Sequence, residues 1–169
     1  GSKVTVVELG DQILPGTDKD IVRIIERGLK KNGVTILTNA GAKSWSKEGG
    51  KAHDVVNPKE GEQTIAADKI LLAVGVRPNT ENIDLEKAGI ELTDRKFVKI
   101  DPSRRSTQPH IFAIGDVAGP PMLAHKGSKE GLVVADIIAG KRVTYDVRAM
   151  PAAIFVEPDL ALSAQLGID

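Results

Sequence analysis

The sequence contains no cysteine among its 169 residues. This absence excludes disulfide bonds, thiolate nucleophiles, CxxC redox chemistry and zinc sites built from cysteine. Aromatic residues are only 3% of the chain, and neither sign of charge is in excess, because 23 basic residues balance 23 acidic ones. A neutral chain gives no electrostatic argument for binding nucleic acid or an anionic membrane surface.

Long apolar runs are also missing. No stretch approaches the roughly 18 residues of a membrane span, and residues 1–4 lack the charged start and apolar stretch of a signal peptide. We therefore predict no membrane segment and, since nothing indicates export, a cytoplasmic location. We also predict no metal site, because HxxxH spacing is absent among the three histidines His53, His110 and His125.

The start of the chain has the pattern of a strand, a helix and a second strand. Residues 4–8 are almost continuously apolar and β-branched, which is typical of a strand buried on both faces. Asp18 is a good N-cap for a helix whose apolar positions follow from Ile21 at i+3, i+4 and i+8, and which ends at Asn32-Gly33. A strand at 34–37 follows, which favours a right-handed parallel crossover.

The rest of the chain is more broken. Closely spaced turn residues predict an antiparallel meander over residues 42–67. A helix is predicted from about Ala124 to Ala139, with Gly140 ending it. The further strand predictions are buried strands at 70–74 and 111–114, an edge strand at 97–100 and a final strand at 152–156.

Two predicted strands end in an acid, Glu8 and Asp116, and ligands of α/β sheets gather outside the carboxyl ends of strands. In dinucleotide-binding folds such an acid accepts hydrogen bonds from ribose hydroxyls and repels a 2′-phosphate. Gly115 lacks a Cβ, so the backbone before Asp116 allows a ligand to approach closely. No GxGxxG motif accompanies either acid, and from position alone a solvated acid closing a strand or turn is the simpler interpretation.

The stretch Met122–Lys126 begins the second predicted helix. The first N–H groups of a helix lack intrahelical partners, and with the helix dipole they favour an electron-rich ligand atom. His125 is either an acid–base group or, more commonly at this position, a residue that caps the helix or frames a ligand.

Four segments occur together in an order that is typical of one family. They are residues 4–8, 73–80, 111–117 and 121–126, with the sequences VTVVE, AVGVRPNT, IFAIGDV and PMLAHK. In these segments the chain resembles the pyridine nucleotide–disulfide oxidoreductases, and PMLAHK resembles the dihydrolipoamide dehydrogenase branch in particular. The resemblance extends from Gly1 to about Pro158, although Gly127 and Lys129 stand where the family more often has alanine and an acid.

The resemblance implies roles for the two acids. Glu8 would bind the adenosine ribose of NAD, and the lack of an arginine pair just after it fits NAD rather than NADP. Asp116, following Gly115, would bind a ribityl hydroxyl of FAD. The other implied cofactor contacts are Ala42 and Gly75 along NAD, and Met122, Leu123, Ala124 and His125 along the flavin, where N–H groups at the helix start would face its O2/N1 edge.

The resemblance also implies an architecture. The expected fold class is α/β, with partial dinucleotide-binding (Rossmann-like) domains, an antiparallel meander and the start of an interface domain. Residues 1–83 would be the C-terminal part of an NAD-binding domain, 84–147 the returning part of an FAD-binding domain, and 148–169 the start of a dimerisation domain. The parent enzyme would oxidise dihydrolipoamide with FAD and NAD, form a homodimer and serve the lipoyl domains of 2-oxo acid dehydrogenase or related complexes.

Several parts of the family are missing from this sequence. We expect both glycine motifs and the redox cysteine pair to lie upstream, and the catalytic His–Glu pair to lie downstream. This chain would then hold no catalytic residue, bind NAD and FAD weakly or not detectably, and be inactive alone. An open sheet edge beside apolar runs such as 70–74 predicts self-association or rearranged strand pairing.

Three other interpretations stay open. The chain could be a subunit of a split flavoprotein, a noncatalytic binding or assembly module that reuses the nucleotide-domain surface, or another flavin reductase of the wide family. Residues 122–126 argue against the last of these. Adjacent reading frames would identify the first, and a colourless chain that binds another protein would favour the second.

Overall fold

The computed structural model describes residues 1–57, 61–156 and, for the backbone, 160–165. The chain forms two compact units, with residues 1–74 in the first and 75–153 in the second. The structure is mixed α/β with parallel and antiparallel sheets, which confirms the predicted fold class. No helix within the described residues combines the length and apolar content that crossing a bilayer requires.

The first unit begins with the predicted strand–helix–strand arrangement. Strand β1 (Thr5–Val7) pairs in parallel with β2 (Thr35–Leu37), and helix α1 (Lys19–Lys31) connects them. Asp18 caps α1 as predicted, because its carboxylate accepts a hydrogen bond from the Asp20 N–H at 2.9 Å. The order and direction of these elements are confirmed.

Helix α1 forms because its sequence is strongly amphipathic. Val22 and Ile25 are buried, while lysine and arginine side chains lie on the opposite face. The helix ends at Asn32, and Gly33 follows with a φ of +80°, a conformation that glycine adopts without strain. The predicted end of the helix is therefore confirmed.

The predicted meander is a three-stranded antiparallel sheet. Its strands are β3 (Gly41–Glu48), β4 (Lys51–Asn57) and β5 (Gln63–Ala67), in that order across the sheet. Positive φ values at Gly49 and Gly50 allow the two-residue turn between β3 and β4. A register shift between Ala42 and Ser44 marks an irregularity at the start of β3.

The prediction of a buried strand at residues 70–74 is wrong. The segment is in no strand, and the exposed fractions of Leu71, Leu72 and Val74 are 89%, 79% and 86%. An apolar run becomes a buried strand only when a neighbouring strand pairs with its backbone and other elements cover its faces. No described strand does so here.

The second unit has little regular sheet. Its core contains Ile90, Val98 and Ala113, surrounded by partly buried aliphatic side chains. The predicted edge strand at 97–100 is reduced to one bridge, Leu92 to Val98. The predicted strand at 111–114 is likewise reduced to the bridge between Arg105 and Phe112.

Both strand predictions in this unit are wrong for the same reason. Each segment has the expected apolar pattern, but the backbone bonds of each go to several separate short stretches instead of to one neighbouring strand. A strand needs several consecutive paired residues, so the pattern alone leaves the segment irregular.

Two helical elements follow this core. A single 3-10 turn covers Gly115–Ala118, and helix α2 covers Ala124–Ile138. The prediction of α2 is confirmed, with Gly140 at a φ of +84° just after the Ala139 cap.

The final described elements are β6 (Ala149–Ile154) and β7 (Leu160–Gln165), which form a two-stranded sheet. Strand β6 begins and ends earlier than the predicted strand at 152–156. The two compact units change over between Val74 and Gly75, somewhat before the predicted boundary after residue 83. The assignment of the segments to NAD, FAD and interface domains stays a prediction.

Candidate functional site

Glu8 lies at the carboxyl end of β1 and is fixed on both sides by the backbone. Its N–H donates to the Leu37 carbonyl at 2.8 Å, and its carbonyl accepts from the Ala40 N–H at 2.9 Å. The half-buried carboxylate accepts a bond from the Gly10 N–H through Oε1 at 2.6 Å. This contact leaves Oε2 as an acceptor at the edge of the sheet.

The loop after Glu8 is tied to the start of β3. Gly10 accepts a backbone hydrogen bond from the Asn39 N–H at 2.7 Å. A Cβ added to Gly41 would lie 3.3 Å from the Leu9 side chain, so the two segments are in close contact. Ala42 follows at the exposed start of β3, so the structure places two predicted contacts, Glu8 and Ala42, along one connected edge of the first unit.

A solvent-open cleft of about 590 Å³ is lined by the loop beyond Glu8, from Gly10 to Lys19. An exposed ion pair between Lys19 and Asp11, at 3.1 Å, lies along it. Gly75 belongs to the other compact unit, where it is exposed with a φ of +113°. Its predicted contact with NAD stays a prediction.

Gly115 and Asp116 begin the 3-10 turn of the second unit. Gly115 has a φ of +73°, which favours glycine, and it lies against helix α2. A Cβ added to Gly127 of α2 would lie only 3.2 Å from the Gly115 Cα. The Asp116 side chain is exposed, and no described side chain or N–H group donates a hydrogen bond to its carboxylate.

Helix α2 begins without a side-chain cap. Leu123 occupies the N-cap position, and the first backbone bond at this end runs from the Gly127 N–H to the Leu123 carbonyl at 3.2 Å. The earlier N–H groups of the first turn have no intrahelical acceptor. Met122 and Leu123 are half-buried, whereas Ala124 and His125 are exposed.

His125 is already engaged within the protein. Its Nε2 lies 2.7 Å from the Pro151 carbonyl oxygen, and because a carbonyl only accepts, Nε2 must carry the proton and donate. This bond fixes the ring orientation. The framing and acid–base roles, which the sequence left open, both stay predictions.

A buried ionic network, which the sequence-based predictions missed, lies beneath this site. Lys126 and Glu130 of α2 have exposed side-chain fractions of 3% and 1%, and their closest charged atoms are 3.0 Å apart. Arg104 contacts the same carboxylate at 3.3 Å. The signal for this network is the spacing of Lys126, Glu130 and Val133, which share one helix face and are the buried residues of α2.

The network also binds the backbone of the 3-10 turn. Glu130 Oε2 accepts a bond from the Gly115 N–H at 2.6 Å, and Lys126 Nζ donates to the Gly115 carbonyl at 3.0 Å. Both polar groups of Gly115 are therefore held by charged side chains, which form stronger hydrogen bonds than neutral ones.

Tyr145 covers the far side of the network. The Arg104 guanidinium lies 4.0 Å from the centre of the Tyr145 ring, a cation–π contact. Burial raises the pKa of the Tyr145 hydroxyl above its usual value, and the Glu130 carboxylate adds to this while Arg104 opposes it. Arg104 Nε and the Tyr145 hydroxyl are buried and have no hydrogen-bond partner among the described residues.

A family model described as pyridine nucleotide-disulphide oxidoreductase matches residues 1–131. The chain belongs to this family. Among curated relatives, the chain is 44% identical to dihydrolipoyl dehydrogenase of Bacillus subtilis, over 95% of this chain and 34% of that protein. It is 41% identical to dihydrolipoyl dehydrogenase of Haloferax volcanii, with the same two coverages of 95% and 34%. The chain thus spans about a third of the length of the curated relatives it matches.

Solved structures of the same kind share the fold. The HOCl-induced flavoprotein disulfide reductase RclA from Escherichia coli superposes with a TM-score of 0.87 at 29% identity, over 95% of this chain and 37% of that one. LpdA from Mycobacterium tuberculosis gives a TM-score of 0.84 at 30% identity, over 95% of this chain and 35% of that one. The fold of the described units is therefore that of flavoprotein disulfide reductases.

Proposed function

We propose that the chain supplies the NAD-contacting and flavin-contacting middle part of a dihydrolipoamide dehydrogenase, which oxidises dihydrolipoamide with NAD. The observation that carries the proposal is the pairing of the exposed, unpartnered Asp116 carboxylate with the uncapped start of α2, within a chain 44% identical to a dihydrolipoyl dehydrogenase. The choice of dihydrolipoamide as substrate rests on the names of the relatives.

The residues of the second unit fit a flavin nucleotide. Asp116 is exposed and offers an acceptor for a ribityl hydroxyl. The free N–H groups of α2 and the positive end of its dipole suit the electron-rich O2/N1 edge of the ring. When bound, FAD supplies electron transfer between the nicotinamide and a disulfide. The chain's own residues bind and orient it, with Met122 to His125 lining the ring.

The residues of the first unit fit the adenosine half of NAD. Oε1 of Glu8 is held by Gly10, so Oε2 would accept a bond from a ribose hydroxyl. A carboxylate at this place repels a 2′-phosphate, which favours NAD over NADP. Ala42 lies along the same edge, at the exposed start of β3.

One observation favours a second candidate, a subunit that works only with another polypeptide. The apolar segment 70–76 exposes most of its side chains, including 74% of Val76. Exposed apolar patches of this kind mark association surfaces. A homodimer and service to lipoyl domains belong to the proposal through the family resemblance, and a cytoplasmic location stays the expectation drawn from the sequence.

The decisive experiment replaces the matching third of the Bacillus subtilis dihydrolipoyl dehydrogenase with this chain. We expect the purified chimera to be yellow and to reduce NAD with dihydrolipoamide, while the chain alone is inactive. Asp116→Ala in the chimera should lower the flavin content, and Lys129→Gln, at an exposed position of α2, should not. A correctly folded chimera that binds no flavin would contradict the proposal.

The isolated chain provides a second test by calorimetric titration. We expect weak or undetectable heat with NAD and with FAD, because the glycine-rich phosphate cradle is absent from this sequence. Micromolar affinity for NAD would show that the chain is a self-sufficient nucleotide-binding module.

A further inference from the structure

Gly115, the residue that precedes Asp116, is held by two charged side chains from one helix. Glu130 Oε2 accepts from the Gly115 N–H at 2.6 Å, and Lys126 Nζ donates to the Gly115 carbonyl at 3.0 Å. The same residue is therefore bound through both of its polar backbone groups. Since Gly115 has a φ of +73°, the two bonds fix a backbone conformation that an unrestrained residue would readily leave.

These bonds determine the position of the Asp116 carboxylate. Asp116 follows Gly115 directly, so the position of its carboxylate depends on the conformation of the Gly115 peptide. Gly127 allows the turn to approach α2 closely, because a Cβ at position 127 would lie 3.2 Å from the Gly115 Cα. The turn therefore lies as close to α2 as two backbones allow.

The same network reaches the other ligand-facing group. Lys126 belongs to the first turn of α2, whose N–H groups lack intrahelical acceptors. Its side chain joins that turn to Gly115, and Glu130, one turn later, closes the network. The carboxylate of Asp116 and the start of α2 are thus set relative to each other by one pair of buried ions.

Stability alone gives no reason for charges at this place. Buried ion pairs are costly to desolvate, and well-packed apolar residues often stabilise a fold as well or better. We propose that Lys126 and Glu130 are positioning residues, which fix the Asp116 carboxylate against the first turn of α2 for a flavin nucleotide. The ligand in this statement rests on the proposed function, whereas the positioning is argued from the contacts of this chain.

The test uses the full chain labelled with ¹⁵N. The charge-assisted bond to Glu130 should shift the Gly115 amide proton downfield and slow its exchange with solvent. Glu130→Gln removes the charge with little change of shape, and Lys126→Met removes the contact to the Gly115 carbonyl. We expect both variants to move the signals of Gly115 and Asp116, and the exposed control Lys129→Gln to leave them in place.

The chimera with the Bacillus subtilis enzyme then measures the consequence for flavin binding. We expect FAD to be held about tenfold more weakly in the chimera carrying Glu130→Gln, as the loss of one charged hydrogen bond implies. Lys126→Met gives the same comparison if Glu130→Gln does not fold.

The outcomes separate the two proposals. If the Gly115 and Asp116 signals move but the chimera without these substitutions binds no flavin, the proposed function fails and the positioning stands. If the variants leave these signals unmoved, or hold FAD in the chimera as tightly as the unsubstituted chimera does, the positioning role is overturned.

Discussion

Helices α1 and α2 each carry a lysine and a glutamate one turn apart, yet the two pairs differ completely in environment. In α1, Lys30 and Glu26 are 3.4 Å apart, with exposed side-chain fractions of 59% and 23%. In α2, Lys126 and Glu130 are 3.0 Å apart and almost fully buried. Identical spacing therefore gives a solvated surface pair in one unit and the centre of a buried network in the other.

The starts of the two helices differ in the same way. The Asp18 side chain caps α1, whereas no described side chain caps α2, whose first N–H groups have no intrahelical acceptor. Helix α1 buries apolar side chains, but the buried residues of α2 include both ions. Helix α1 thus connects strands, while α2 holds a turn and begins with N–H groups that lack intrahelical acceptors.

The two acids, Glu8 and Asp116, also differ in what holds them in place. Glu8 is held by the backbone ladder of β1 and β2 and by its own loop, through Gly10. Asp116 has no such ladder, and the turn that carries it depends on charges from α2. A sheet edge needs no buried charge to position an acid, whereas an irregular turn needs an added constraint.

The largest expected effect comes from Glu130→Ala. It leaves Lys126 and Arg104 buried without their carboxylate, so the free energy of unfolding should fall by about 3–5 kcal/mol. Urea unfolding followed by the absorbance of Tyr145, the only tyrosine, reports on the second unit, while Trp45 reports on the first. Equal losses of stability at both probes would show that the two units depend on Glu130 to the same extent.

A smaller loss is expected from Gly115→Ala. A φ of +73° strains an alanine by about 1–2 kcal/mol, and the network prevents relaxation of the turn. Gly131→Ala is the control, because its added Cβ meets only the Ile114 side chain at 3.4 Å. That variant should gain stability of about 0.5–1 kcal/mol from helix propensity. Thermal unfolding of both variants measures the difference, and a neutral Gly115→Ala would argue against a fixed turn.

Removing the cap of α1 should cost about 1 kcal/mol. Asp18→Ala deprives the Asp20 N–H of its acceptor, whereas Asp18→Ser retains one. The change in urea midpoint, followed by Trp45, gives the value. An unchanged urea midpoint in Asp18→Ala would show that α1 does not depend on its cap. The difference between the starts of α1 and α2 would then have no effect on stability.

Alkaline pH should destabilise the second unit through Tyr145. Its folded pKa is raised above the usual 10.0, so below that pH both states are protonated and the full stability is present. Between the unfolded and folded pKa values only the folded state keeps the proton, and stability falls as pH rises. Tyr145→Phe should abolish this loss and change the stability little at neutral pH, because the hydroxyl has no partner. Stability measured against pH in both proteins checks this.

The smallest effect is expected from Glu26→Ala, the surface counterpart of Glu130→Ala. Exposed pairs at this spacing contribute less than about 0.5 kcal/mol. Its urea midpoint should therefore lie close to that of the parent chain, and added salt should reduce any difference further. A loss comparable to that of Glu130→Ala would show that burial does not distinguish the two pairs.

Much of the first unit was predictable from the sequence. The cap at Asp18, the apolar spacing of α1 and the glycines at 49–50 act on residues a few positions away. Their effect can therefore be predicted from the local sequence. Glu8 and Asp116 were singled out as acids after apolar runs, and their ligands remain predictions. The strand predictions at 70–74, 97–100 and 111–114 are wrong because a strand needs a neighbouring strand to pair with, which the local sequence pattern does not specify.

By itself, the sequence determined the helices, the meander, the lack of thiol chemistry and the two acids worth attention. Only the tertiary structure decided which of two equally spaced lysine–glutamate pairs is buried, because burial depends on what packs against the helix. Arg104, Gly115 and Tyr145 come from distant parts of the second unit to surround Glu130. Zero cysteine excludes a redox disulfide in this chain, and the fold places a buried ion network beneath the turn that carries Asp116.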